Sequence, residues 1–189
     1  MKRNMKKIAS VLLVAMLALC LTACGGGKDN GGAVEIADAT EILTTVWGTY
    51  AEDEMFAAAG GDSENMSMEG PAKFDVSKTE ELAYLLNFPA ELADKIDDAA
   101  SLMHMMNANT FTAGAFHLAD AANEEAFVAA VKENIMNRHW MCGFPEKLVI
   151  VSDGNGYVVT MFGHGDAVNP FTAKLTEMGG TVVVEENIG

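Results

Sequence analysis

Between residues 123 and 138 apolar side chains recur at four-residue spacing (Phe127, Val131, Ile135) among acidic and amide positions, which predicts a helix with one buried face. Asn123 stands where a cap is needed, and Glu124 and Glu125 suit the positive end of the helix dipole. The pattern on either side has a different period. Residues 110 to 118 read as a strand from their Thr, Phe and small residues. Residues 147 to 152 and 156 to 162 are apolar on both faces and flank Asp153-Gly154-Asn155-Gly156, a hairpin signal. Asn169 and Pro170 are placed as the N-cap and first residue of another helix, with Phe171, Leu175 and Met178 on its stripe and Gly179 at its end. Residues 181 to 185 form a last strand.

The order from residue 110 is therefore β-α-β-β-α-β. It predicts an α+β fold, the split βαβ arrangement of a ferredoxin-like sandwich, with strand order 4-1-3-2 and both helices on one face. Central strands that are apolar on both sides need cover on the second face. Amphipathic helices between residues 38 and 106 are the candidates. The first starts at Asp38, where Asp38 and Glu41 form a D-x-x-E capping box, and buries Ile42, Val46 and Tyr50. Thr79 caps a short helix through Leu86, and Pro89 opens a third with Leu92, Ile96, Ala99, Met103 and Met106 on one stripe. Residues 59 to 78, rich in Gly, Ser, Met and acids, show no period and read as an exposed or mobile loop.

Ahead of these elements the chain has a basic start (Lys2, Arg3, Lys6, Lys7) and an apolar run of 12 residues from 8 to 19. As a helix that run is about 18 Å long, too short for a hydrocarbon core roughly 30 Å thick, so it reads as a cleavable signal. It ends in Leu21-Thr22-Ala23-Cys24, which resembles the lipobox of bacterial lipoproteins. The resemblance implies cleavage before Cys24, lipidation of its thiol, and anchorage on the outer side of the cell membrane. Residues 1 to 23 are then signal peptide and 24 to 37 a glycine-rich tether. Residues 38 to 106 form a helical segment and 107 to 189 the sandwich, the two making one domain.

A second resemblance rests on Met106-Asn107-Ala108-Asn109-Thr110-Phe111-Thr112-Ala113-Gly114 and Trp140-Met141-Cys142-Gly143-Phe144-Pro145. These segments are similar to an uncharacterised group of small lipoproteins from gut Firmicutes, over roughly residues 90 to 178. What the likeness implies is location and domain type; it transfers no site residue.

Charge narrows the partners. The full chain carries a net charge of −15, and loss of the signal removes four of its 12 basic residues and none of its 27 acidic ones, leaving −19. Such a surface repels phosphate backbones, which excludes nucleic-acid binding. Cysteine counting is as restrictive. Cys20 leaves with the signal and Cys24 carries lipid, so Cys142 is the one free thiol and no internal disulfide forms.

The reactive candidates are few. Trp140-Met141-Cys142-Gly143-Phe144-Pro145 resembles the Trp-Cys-Gly-Pro-Cys of thioredoxin-like proteins, but no second cysteine can resolve a mixed disulfide. The thiol also follows a helix where that family's motif precedes one, so it reads as buried and inert. His139 and Cys142 form H-x-x-C, and His104 is a further ligand type, yet a closed zinc site needs four ligands and no second pair exists. Met66-Ser67-Met68 and Met103-His104-Met105-Met106 suit Cu(I) by softness, although Met103 and Met106 fall on an apolar stripe. Asp153-Gly-Asn155-Gly has His164 where a calcium loop requires Glu, Gly61-Asp62-Ser63 lacks the strand an esterase motif follows, and Gly163-His164-Gly165 lacks a third glycine.

No catalytic constellation and no cofactor is assigned. The expectation is a lipid-anchored, extracytoplasmic protein with a non-catalytic binding or accessory role, taking a protein or small-molecule ligand. The alternatives are a thiol-dependent redox factor using Cys142, or a copper carrier.

Overall fold

A computed structural model describes residues 36 to 188; Cys24, its lipobox and most of the expected tether lie outside them. The fold is α+β, built on a seven-stranded antiparallel sheet. In chain order the elements are α1 (Ala39–Trp47), β1 (Ala58–Ala59), β2 (Ala72–Phe74), α2 (Thr79–Leu85), β3 (Ile96–His104), β4 (Phe111–Leu118), α3 (Glu124–Met136), β5 (Lys147–Ser152), β6 (Tyr157–Gly163), α4 (Gly165–Glu177) and β7 (Thr181–Asn187). Short 3-10 turns occupy Ala90–Lys95, Asn107–Asn109 and Ala121–Asn123.

The sheet runs β1-β3-β4-β6-β5-β7, with β2 pairing β3 alongside β1. The central β4-β6-β5 order is the one expected, but β7 is not beside β4. That edge is taken by β3, and β7 pairs with β5 instead. One consequence follows for the helices. β4 and β5 are parallel with β6 between them, and β6 and β7 are parallel with β5 between them. Both crossovers travel the same way across the sheet from strands of opposite sense, so crossovers of one hand must put α3 and α4 on opposite faces. They are found there. Phe127, Val131 and Ile135 of α3 pack with Leu148, Ile150 and Phe116, whereas Val168, Phe171 and Leu175 of α4 pack with Val149, Val151 and Phe111. The expectation of both helices on one face is thus corrected.

The second correction lies at residues 96 to 104, which form a strand and not a helix. Ile96, Ala99 and Met103 have helical spacing, but Ala99, Ala100, Ser101 and Leu102 are all fully buried, which no single helix stripe allows. Strands on both sides override the helix propensity of alanine. Pro89 opens only the 3-10 turn before β3.

N-terminal elements do cover the sheet. In α1, Asp38 accepts a 2.8 Å bond from the Glu41 amide while Glu41 reaches back to the Ala37 amide at 2.6 Å, a capping box displaced by one residue. Ile42, Leu43, Val46 and Trp47 of this helix join α4 over one face, and Leu82 of α2 joins α3 over the other. The stretch from 59 to 78 is not a free loop. It contributes β1 and β2, and it is gathered around the buried Asp62. That carboxylate accepts from the amides of Glu64, Asn65 and Asp75, from Asn65 Nδ2, and from Lys78 Nζ at 2.9 Å. Burial alone would raise its pKa, but these donors outweigh burial and hold it well below the usual carboxylate range.

Candidate functional site

A cavity of about 360 Å³ opens where four separated segments meet. Tyr50, Glu54 and Phe56 come from the chain leaving α1, His104 from the end of β3, Asn109 from the turn before β4, and Asp166, Pro170 and Lys174 from α4. Each is placed by a local feature. Helix α1 ends at Trp47, so Tyr50 turns off the helix face on which its spacing would put it. Gly163 has φ 155°, and a Cβ there would meet the Thr110 carbonyl oxygen at 2.2 Å. This close approach lets the His164 backbone amide donate to Thr110 O at 2.8 Å, tying the Asn109 segment to the start of α4. That helix begins five residues earlier than expected, at Gly165, and holds Pro170 inside it. Pro170 therefore supplies no N–H to the carbonyl of Asp166 four residues back.

The floor is aromatic. Trp47 packs on Tyr50 and Phe56 at centroid distances of 5.2 and 4.8 Å, and Phe111 lies 5.4 Å from both Phe56 and Phe171. His104 stacks on Phe56 at 4.7 Å and 14°. Its Nδ1 accepts from the Met106 amide at 2.9 Å, which fixes the proton of the neutral ring on Nε2. Burial pushes the imidazole pKa below 6.5, against the upward pull of Asp166.

The polar groups of this cavity are unevenly satisfied. The Tyr50 hydroxyl is buried and has no hydrogen-bond partner. Burial, with the charge of Glu54, pushes its pKa up to about 12. Asp166 makes no side-chain hydrogen bond or ion pair among the described residues, and Glu54 uses one oxygen on the Ala51 amide at 3.0 Å. Lys174 is occupied: Nζ donates to Thr49 O at 3.1 Å and sits 4.4 Å from the Tyr50 ring centroid. A buried polar group left unpaired costs on the order of 1–3 kcal/mol, which sets the Tyr50 hydroxyl apart from the bonded groups around it.

Other polar clusters are closed structures. Ser63 Oγ lies 3.2 Å from Lys78 Nζ, which has the look of a Ser-Lys pair. Lys78, however, is bonded to Asp62 and its pKa is raised, so it holds its proton, and Ser63 donates to Glu81 at 2.7 Å. His117 pairs with Asp97 at 2.5 Å, and among the described residues no hydroxyl or thiol bonds the imidazole. A larger hollow, about 750 Å³, lies beside Arg138, Trp140, Phe144, Glu146 and His164. Its charged groups are already bonded, Arg138 to Asn87 Oδ1 and Glu146 to the Gly165 amide.

The residues singled out in the sequence are scattered. Cys142 is exposed, not buried as expected. Trp140 against Phe162 and the buried Pro145 anchor its loop, and Gly143 at φ 62° turns the intervening chain outward, leaving Met141 93% and Phe144 65% exposed. His139 is exposed in the same loop. Among the described residues no group of three or more His, Cys, Asp or Glu could hold a metal ion, so His104, His139 and Cys142 form no such group. His104 lines the cavity, whereas His117 faces Asp98 at the other end of the β3–β4 ladder. Tyr50, Glu54, Asn109, Asp166 and Lys174 were not legible as a site, and only the proline embedded six residues after His164 marks α4 as unusual. No family model matches the chain, and no curated protein or solved structure matches it. No described helix is long and apolar enough to cross a membrane.

Proposed function

We propose that this chain is a lipid-anchored, extracytoplasmic binding protein without catalytic activity, held to the membrane through Cys24. It takes a small ligand in the cavity between Tyr50 and Asp166. The anchor rests on the L-T-A-C ending of the signal-like start, and the acidic domain is suited to standing free of anionic surfaces. The binding role rests on one observation above others, the buried Tyr50 hydroxyl without a partner in the wall of a cavity large enough for a small molecule. The anchor is tested by intact mass of the protein from its host membrane. The expected mass lacks residues 1 to 23 and carries acyl chains; a full-length, unacylated chain contradicts it. The cavity is tested by the fluorescence of Trp47, which packs against Tyr50 and Phe56: a saturable change on titration with a small ligand is expected, and no change contradicts the reading.

A second reading, carriage of Cu(I), is favoured by the strand register. Ser67 bridges Gly60, and Ala59 pairs with Met103. Met66 and Met68 flank that bridge and are both exposed. Thioethers close in sequence beside a sheet edge suit a soft monovalent ion. Competition with a Cu(I) chelator tests it: retention of about one Cu(I) per chain supports the reading, and complete loss to the chelator ends it.

A further inference from the structure

We propose that the cavity selects a small organic cation, an ammonium group on a short apolar body. This rests on the reading of the cavity as a ligand site and names the class of ligand. Glu54 and Asp166 bring two carboxylates to its wall, and Lys174 brings one ammonium that is already spent on Thr49 O and the Tyr50 ring. With His104 neutral, the wall keeps one negative charge in excess. Among the described residues Asp166 has no hydrogen bond or ion pair that shares that charge.

Hydrogen bonding points the same way. An ammonium brings donors only, and the cavity wall has acceptors to spare, the Asp166 carboxylate and the free oxygen of Glu54. An anionic ligand would meet two like charges there. A bare divalent ion would find two carboxylates where six to eight oxygens are needed. Lys174 shows the fit directly, because the chain seats its own ammonium against the Tyr50 ring and a carbonyl. An apolar body is accommodated by Tyr50 and Phe56, and the volume limits it to a small molecule.

Lys174 also sets a sign that distinguishes this site from general attraction to an acidic surface. Its charge opposes an incoming cation, so its removal must strengthen binding.

The test titrates the full chain in neutral detergent with three probes of matched length: 1,4-diaminobutane, butane-1,4-diol and succinate. Binding is followed by Trp fluorescence and calorimetry, and thermal melts check that each variant is folded. The diamine is expected to saturate the protein, with the diol and succinate weaker by about tenfold or more. Asp166→Asn and Glu54→Gln should each weaken the diamine by about tenfold, and Lys174→Met should tighten it. Diamine binding that ignores Asp166→Asn, preference for succinate or the diol, or no saturation at about 10 mM overturns the proposal. If the diol or succinate binds and Tyr50→Phe abolishes that binding, the cavity remains a ligand site and only the cationic class fails. If none of the three binds, both readings fall.

Discussion

The Lys174 ammonium stands 4.4 Å from the centroid of the Tyr50 ring, joining the third turn of α4 to the chain that leaves α1. Two elements far apart in sequence are held together beside the cavity by one cation, one ring and the Thr49 carbonyl. Exposed cation–π contacts contribute about 0.5–1 kcal/mol. Lys174→Met should therefore lower unfolding free energy by about that amount in urea titration, while Lys174→Arg should retain it. An unchanged midpoint in Lys174→Met would show that the contact contributes nothing.

The Asp62 hub makes the stretch from 59 to 78 an ordered part of the fold. Removing one member of a buried pair costs about 3–5 kcal/mol, because its partner is left uncompensated. Asp62→Asn should thus destabilise the protein by about 3 kcal/mol, and a loss nearer that of a surface ion pair, about 1 kcal/mol, would contradict the account. The pH sign is also fixed. Since the folded pKa lies below the ordinary 3.8, the stabilisation is complete above 3.8 and declines only as pH falls beneath it. Asp62→Asn should flatten that acid limb of the stability curve.

His104 behaves differently because its folded state disfavours the proton. Burial holds its pKa under 6.5, and protonation of Nδ1 would abolish the bond from Met106 N. Stability linked to this residue is full above pH 6.5 and falls as pH drops through the lower folded value. An NMR titration of the ring should give a midpoint below 6.5; a midpoint at or above it removes the basis for treating the cavity imidazole as neutral.

Cys142 supplies a test of the loop that carries it. Its exposure predicts that one thiol per native chain reacts with an aromatic disulfide reagent in the absence of denaturant. Cys142→Ser should change neither the melting temperature nor ligand binding. A thiol that reacts only after unfolding would contradict the exposed loop.

Local patterns carried most of the elements, and the pairing of distant segments carried what they left out. The helix bearing Phe127, Val131 and Ile135 and the Asp153-Gly154-Asn155-Gly156 hairpin are written in neighbours three or four residues apart, and both formed as read. Strand β3 is not written that way. Its small residues, Ala99, Ala100 and Ser101, fit helix and strand alike, and only pairing with β4 on one side and β1 and β2 on the other decides between them. Once β3 holds the edge of β4, β7 must pair elsewhere and α4 must change face. The cavity depends on that displacement, since α4 could not meet Tyr50 and His104 from the other side of the sheet. A reading confined to motifs therefore reached His104 and missed Tyr50, Glu54, Asp166 and Lys174.

The measurement closest to the central claim is Tyr50→Phe, followed in two ways on the same preparation. If the hydroxyl is kept unpaired for a ligand, its removal relieves a buried polar group, and the free protein should gain about 1 kcal/mol and melt higher. The same variant should bind 1,4-diaminobutane more weakly than the parent. A variant that melts lower and binds the diamine unchanged would show that the hydroxyl serves the fold and not a ligand.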